Sequence, residues 1–135
     1  MQRSASGDSG THGTGSDLAL TSVYASLIEA RVLTRQLDAA LAEVNLSLNT
    51  LVMLEQLVRG PMIQRMVADS LGVDKVAISR WVTILCEAGY ISRTNPDDDK
   101  RRCVLEITPA GMHVLSRGKE LAVEHLEGVQ ISVSM

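Results

Sequence analysis

The chain has 135 residues and a mass of 14.6 kDa, which is the size of a single domain. Hydrophobic residues make up 45% of it, which excludes a wholly disordered chain. The aromatic residues are only Tyr24, Trp81 and Tyr90, too few for a stacking platform that binds single-stranded nucleic acid. No apolar run has the length of a membrane span, and two cysteines cannot build a disulfide framework. The first residues lack a basic patch followed by an apolar stretch, so we expect no secretory signal. We therefore expect a cytoplasmic protein with no membrane partner.

The net charge of −3 is distributed unevenly along the chain. Residues 1–58 carry −3 and residues 119–135 carry −2, whereas residues 59–118 carry nine Lys or Arg against seven Asp or Glu, a net +2. A central basic excess between acidic ends is suggestive of one face that binds a polyanion.

Residues 1–16 are predicted to form a flexible leader, because ten of them are Gly, Ser or Thr and they show no apolar period. From Asp17 to Val44 the apolar residues recur at intervals of three and four, which predicts a long first helix over residues 17–44. A helix of about seven turns is too long to be covered by the rest of so small a domain, so part of its apolar side is expected to contact a second chain. The predicted dimerisation residues, on this helix and the last one, are Leu20, Val23, Leu27, Leu115 and Leu126.

The centre of the chain has the pattern of a helix-turn-helix. A second helix ends at Gly60-Pro61, a short third helix follows and ends at Gly72, and a fourth begins after Asp74 as N-cap and runs to Ala88. Two helices joined by about three residues centred on a glycine predict a helix-turn-helix over residues 61–88.

A strand-turn-strand pattern over residues 90–107 comes directly after the fourth helix. Its turn-rich centre is residues 95–100, and its second half alternates apolar and polar residues. A hairpin in this position is a wing. A last helix is predicted over residues 109–126, with Pro109 at its first position, and residues 128–135 are predicted to form a non-helical tail. The predicted fold class is mostly α with a small β-hairpin wing (α+β), a winged helix-turn-helix over residues 17–127 with flanking dimerisation helices.

Between Leu46 and Leu115 the sequence resembles the MarR (multiple antibiotic resistance regulator) family of winged helix-turn-helix transcription factors. The motifs that carry the resemblance are Ile78-Ser79-Arg80 followed by Leu85, Glu87-Ala88-Gly89-Tyr90-Ile91, Arg93, Asp99-Lys100-Arg101 and Thr108-Pro109-Ala110-Gly111. The resemblance implies a homodimeric, cytoplasmic regulator of transcription. It also implies a pocket for a small, often phenolic, effector between the first helix and the winged domain.

The predicted DNA-binding residues lie on the third and fourth helices and in the wing. On the fourth helix, Arg80 is the side chain that would bind a guanine edge bidentately. Val76 or Ala77 would contact a thymine methyl group. In the wing, Arg101 is expected in a minor groove, and the resemblance assigns to Asp99 the task of holding its guanidinium. Asp97 and Asp98 are interpreted as a solvated turn. The full set is Gln64, Arg65, Lys75, Val76, Ala77, Ser79, Arg80, Thr83, Arg93, Asp99 and Arg101.

Other chemistry is poorly supported by the sequence. Cys86 and Cys103 sit at apolar positions and are interpreted as small hydrophobic residues, with a thiol switch as the alternative. The three histidines have no metal-ligand spacing, and no nucleophile or metallopeptidase motif is present. We predict no enzyme activity, no metal and no cofactor.

The function predicted from the sequence is a double-stranded DNA-binding transcriptional regulator, specific for its sequence and acting as a ligand-responsive repressor. The alternative is a shortened winged-helix module that binds protein and heterodimerises with a related regulator. The mass of the protein in solution distinguishes these hypotheses. The regulator requires a homodimer, whereas the interaction module would be a monomer that pairs only with a related regulator.

Overall fold

A computed structural model of the chain describes residues 6–99 and 101–134, with side chains for residues 15–99 and 101–128. It divides into two compact units, residues 1–36 and residues 37–135. The helices are α1 (Ser6–Leu41), α2 (Leu48–Leu57), α3 (Gln64–Leu71), α4 (Lys75–Glu87) and α5 (Pro109–Ser134), and the strands are β1 (Met62–Ile63), β2 (Ile91–Thr94) and β3 (Val104–Ile107). Short 3-10 turns cover Ala42–Val44 and Pro96–Asp98. The predicted mostly α fold with a wing is confirmed.

The helix-turn-helix consists of α3 and α4, inside the predicted range 61–88. Gly72 ends α3 in the left-handed conformation with φ of 69°, and the Asp74 carboxylate caps α4 by accepting the backbone N–H of Ala77 at 2.8 Å. Val67 of α3 and Val82 of α4 are completely buried in the core, together with Leu54 of α2. This packing fixes α4 on the domain by one face and leaves its other face outside.

The wing belongs to a three-stranded antiparallel sheet with strand order β1-β3-β2. β2 and β3 pair from Ile91 with Ile107 to Thr94 with Val104, as the predicted hairpin requires. β1 pairs with the other edge of β3, which corrects the prediction that residues 62 and 63 begin the third helix. Pairing with β3 satisfies backbone groups that this edge would otherwise leave without partners, which outweighs helix propensity over two residues.

The two outer helices are longer than predicted. α1 begins at Ser6, inside the predicted leader 1–16, and residues 1–5 lie outside the described part of the chain. α5 continues to Ser134, so the predicted end at residue 126 and the non-helical tail 128–135 are wrong, with Met135 outside the described residues. Adding one residue to an existing helix gains a hydrogen bond, whereas Gly and β-branched residues cost only about 1 kcal/mol or less each.

No single helix among the described residues is both long and apolar enough to cross a membrane. By length and composition only, the pair Gly15–Val44 and Leu48–Leu57 passes the same test, and the two helices are bent by 71°.

Candidate nucleic-acid interface

The outward face of α4 carries five of the residues predicted to bind DNA. Ile78, Val82 and Leu85 are buried on the core side of this helix. The predicted residues that are exposed are Lys75, Val76, Ser79, Arg80 and Thr83, and Ile84 and Glu87 are exposed on the same helix. Ala77 lies between the two sides and is half-buried. The Thr83 hydroxyl donates to the carbonyl oxygen of Ser79 at 3.0 Å, so its oxygen is left as a hydrogen-bond acceptor toward a base or phosphate.

A cleft of about 760 Å³ lies between α3, the first turn of α4 and the wing. We call it the basic cleft; Gln64, Arg65, Lys75 and Arg101 line it together with Ala68, Asp69, Val73, Asp74, Ile78 and Cys103. Four residues that were predicted separately, from three elements, are thus brought to one place. A backbone hydrogen bond of 2.7 Å from Gln64 to the carbonyl oxygen of Cys103 joins the start of α3 to β3 beside it.

The cations of this surface have no carboxylate partners within the described residues. The ion pairs found there use other side chains: Arg117 with Glu43 at 3.1 Å and with Glu120 at 3.2 Å, and Lys119 with Glu55 at 3.0 Å. The side chains of Arg65, Lys75, Arg80 and Arg101 form none of these pairs and are exposed. Their charges are therefore available to an external anion.

The wing tip is shaped by its aspartates. Asp97 and Asp98 both have φ of 58°, a left-handed conformation that Asp tolerates better than most residues other than Gly. The Asp99 carboxylate accepts the backbone N–H of Arg101 at 2.9 Å. The assignment from the resemblance, in which Asp99 holds the Arg101 guanidinium, is therefore corrected: in the described residues Asp99 fixes the backbone of Arg101 and leaves its guanidinium without an ion pair.

Arg93 lies opposite Leu105 in the sheet and close to both thiols. Burial raises the pKa of Cys86 and Cys103, and the nearby Arg93 guanidinium offsets part of that rise. Thiols with a raised pKa remain protonated at neutral pH, which favours their interpretation as small hydrophobic residues. Arg93 does not line the basic cleft, and its contact with DNA stays a prediction.

The residues predicted to form a dimer interface differ in their exposure. On α1, Leu20 and Val23 are 46% and 59% exposed and Leu27 is exposed as well, and on α5 Leu126 is exposed. Leu115 is only 4% exposed and belongs to the core of its own chain. The prediction for Leu115 is corrected, because a side chain that packs inside one chain is not available to a second.

Asp69 and Val73 also line the basic cleft, and neither was predicted from the sequence. No sequence pattern indicated these positions, because Asp69 is typical of a solvated helix residue and Val73 is typical of a residue that bridges two helices in a turn. The described residues contain no group of three or more His, Cys, Asp or Glu placed to hold a metal ion.

Comparisons with known proteins give one family model and several solved structures of the same fold. The model of the MarR family matches residues 44–102. The transcriptional regulator BldR from Sulfolobus solfataricus superimposes with a TM-score of 0.70 at 23% identity, covering 98% of this chain and 86% of that one. AbsC, a MarR family transcriptional regulator from Streptomyces coelicolor, gives 0.69 at 22% identity, covering 87% and 81%. NadR in complex with 4-hydroxyphenylacetate gives 0.63 at 22% identity, covering 82% and 80%. No curated protein sequence matches the chain.

Proposed function

We propose that the chain, whose residues 44–102 match the model of the MarR family, is a winged-helix transcriptional regulator that binds double-stranded DNA sequence-specifically as a homodimer. The observation that carries the proposal is the continuity of two surfaces. Lys75 and Ile78 of α4 line the basic cleft, and the exposed face of the same helix begins at Lys75. A helix of this kind lies in a major groove while the wing reaches the flanking minor groove.

Each part of this surface has its own task in the proposal. Lys75 and Arg65 neutralise phosphates and set the position of the domain on the duplex. Arg80 donates two hydrogen bonds to the O6 and N7 atoms of a guanine. Arg101 enters the minor groove, where its guanidinium, which has no carboxylate partner in the described residues, is attracted by the concentrated negative potential. Gln64, Ser79, Thr83, Ala77 and Arg93 add contacts around these four residues.

The proposed homodimer forms through α1 and the end of α5. The exposed apolar residues of α1 extend from Leu18 to Val32, a length of about 20 Å at the rise of an α-helix, and a second copy would remove them from water. A two-fold dimer then presents two α4 helices to half-sites about one helical turn apart. A monomer that pairs only with a related regulator would instead support the heterodimerising module.

We further propose that the protein is a repressor released by a small phenolic acid. A groove of about 830 Å³ between α2 and α5 has apolar walls from Val58, Met112 and Val123, and its charged lining residues are Glu55, Arg117, Lys119, Glu120 and Glu124. That volume and those apolar walls suit a small aromatic molecule. Arg117 and Lys119 are paired with glutamates, so the carboxylate of a bound ligand would compete with those glutamates for the two cations. The 4-hydroxyphenylacetate bound to NadR has this chemistry, and it is the probe to use first.

The test is fluorescence anisotropy with a labelled duplex from the region upstream of the protein's own gene, at several salt concentrations and with an unrelated duplex as competitor. We expect a preference of at least about 10³ for the specific duplex and a linear fall of log affinity with log salt. Addition of 4-hydroxyphenylacetate is expected to lower the affinity. The proposal is contradicted if binding to the upstream duplex is weak and no stronger than binding to the competitor, and if selection from random duplexes also enriches no sequence.

A further inference from the structure

Val76 is the most exposed large apolar residue of α4. Its side chain is 69% exposed and takes no part in the hydrophobic core. It lies in the first turn of the helix, where Ser79 and Arg80 follow at three and four residues and share its face. Val forms helix less well than Ala, and here no packing within the described residues compensates for that loss. Its two methyl groups are therefore free to contact something outside the chain.

The surroundings of Val76 favour nucleic acid as that contact. Lys75 precedes it and Arg80 follows one turn later, and neither cation forms an ion pair within the described part of the chain. An apolar patch for a protein partner would extend over several neighbouring side chains, whereas Val76 lies between two positive charges and the other exposed large apolar residue of α4, Ile84, is two turns away. A polyanion that presents one apolar group between its phosphates fits this arrangement.

We propose that Val76 reads the C5-methyl group of a thymine in the major groove, close to the guanine that Arg80 binds. The inference rests on the proposed function and adds a specificity to it. Thymine alone presents a methyl group in that groove, while the other base edges present donors and acceptors that a valine side chain cannot satisfy. The branched side chain has few rotamers, so ordering it on the DNA costs little entropy.

The spacing on α4 limits where this thymine lies. Residues four apart on a helix are separated by about 6 Å along its axis, and successive base pairs are about 3.4 Å apart. Val76 and Arg80 therefore reach neighbouring or next-neighbouring base pairs. Each half-site is predicted to contain a thymine within about two steps of a guanine.

The experiment begins with selection of the preferred duplex from a random pool by the full-length wild-type protein. Each thymine of the selected half-site is then replaced by deoxyuridine, which removes only the methyl group. For wild type we expect one such replacement to lower affinity about fourfold per half-site, the value for withdrawing one methyl-sized group from burial. Val76→Ala should bind the thymine and deoxyuridine duplexes equally. Val52→Ala, the same change at an exposed position of α2, should retain the full wild-type discrimination.

The outcomes separate this inference from the function on which it rests. Equal sensitivity to deoxyuridine in wild type and Val76→Ala, or no sensitivity in either, overturns the role of Val76 and leaves the DNA-binding function intact. A pool from which no sequence is enriched overturns both. Circular dichroism of Val76→Ala is expected to match wild type, since Ala at an exposed helical position preserves the helix.

Discussion

The hydroxyl of Thr108 donates a hydrogen bond to the carbonyl oxygen of Gly89 at 2.7 Å. The same oxygen atom of Thr108 accepts the backbone N–H of Gly111 at 3.0 Å, and the Thr108 backbone N–H donates to the carbonyl oxygen of Tyr90 at 3.0 Å. One residue thus caps α5 and connects it to the turn between α4 and the wing. The orientation of the wing relative to α4, on which the proposed DNA contact depends, is fixed partly at this point.

Thr108→Val is expected to lower the free energy of unfolding by about 1 kcal/mol, because it keeps the shape but removes the cap and leaves the Gly89 carbonyl without its donor. Urea denaturation followed by circular dichroism measures the change. Thr83→Val is the control, since the Thr83 hydroxyl bonds only within the exposed face of its own helix, and this variant should stay within about 0.5 kcal/mol of wild type. Equal losses in the two variants would contradict the role given to Thr108.

Gly111 is predicted to be intolerant of any side chain. A Cβ atom there would overlap the carbonyl oxygen of Tyr90 and lie 2.7 Å from Cγ1 of Ile107. Gly111→Ala should therefore cost about 1–3 kcal/mol of stability, because the first turn of α5 must move away from the wing. Gly128→Ala is the matched control on the same helix: its Cβ meets nothing within 4 Å, and it should stabilise by up to about 1 kcal/mol. A Gly111→Ala unfolding midpoint equal to wild type would refute the close packing.

Local patterns predicted much of this fold, and tertiary contacts account for the rest. The end of α3 and the start of α4 followed from Gly72 and Asp74, whose cap chemistry depends on a few neighbouring residues. β1 could not be foreseen, because two residues have no period and are extended only through pairing with β3. The individual cations of the basic cleft were predicted, but their meeting was not, because Arg65 and Arg101 are distant in sequence and only the packing of α3 on the sheet brings them together.

Arg101→Ala is expected to lower the affinity for the specific duplex by about 1–3 kcal/mol and to reduce the slope of log affinity against log salt. The reason is the loss of a guanidinium that forms no ion pair within the described residues and faces the basic cleft. Arg59→Ala removes an equal charge from an exposed position at the end of α2, and it should leave the affinity for the duplex almost unchanged. An unchanged affinity in Arg101→Ala would remove the wing from the mechanism.

The aspartates of the wing tip are predicted to have opposite effects on DNA binding. Asp98→Asn removes a negative charge near phosphates and keeps a residue that tolerates φ of 58°, so its affinity should rise slightly. Asp99→Ala removes the same charge but also the acceptor that holds the Arg101 backbone, so its affinity should fall. Anisotropy titrations at one salt concentration compare the two. A rise in DNA affinity for both variants would show that only the charge of these aspartates affects binding at the wing tip.

The raised thiol pKa values predict a loss of stability at high pH. A thiol whose pKa is higher in the folded than in the unfolded state stabilises the fold fully below the unfolded value, and this contribution is lost as pH rises from the ordinary value of 9.0 through the folded value. Wild type should therefore lose more stability than Cys86→Ser/Cys103→Ser between pH 7.5 and pH 10, measured by urea denaturation under reducing conditions. At pH 7.5 both proteins should keep the same DNA affinity after mild peroxide treatment, because protonated thiols are poor nucleophiles. A loss of affinity in wild type alone would instead establish the thiol switch that the sequence left as an alternative.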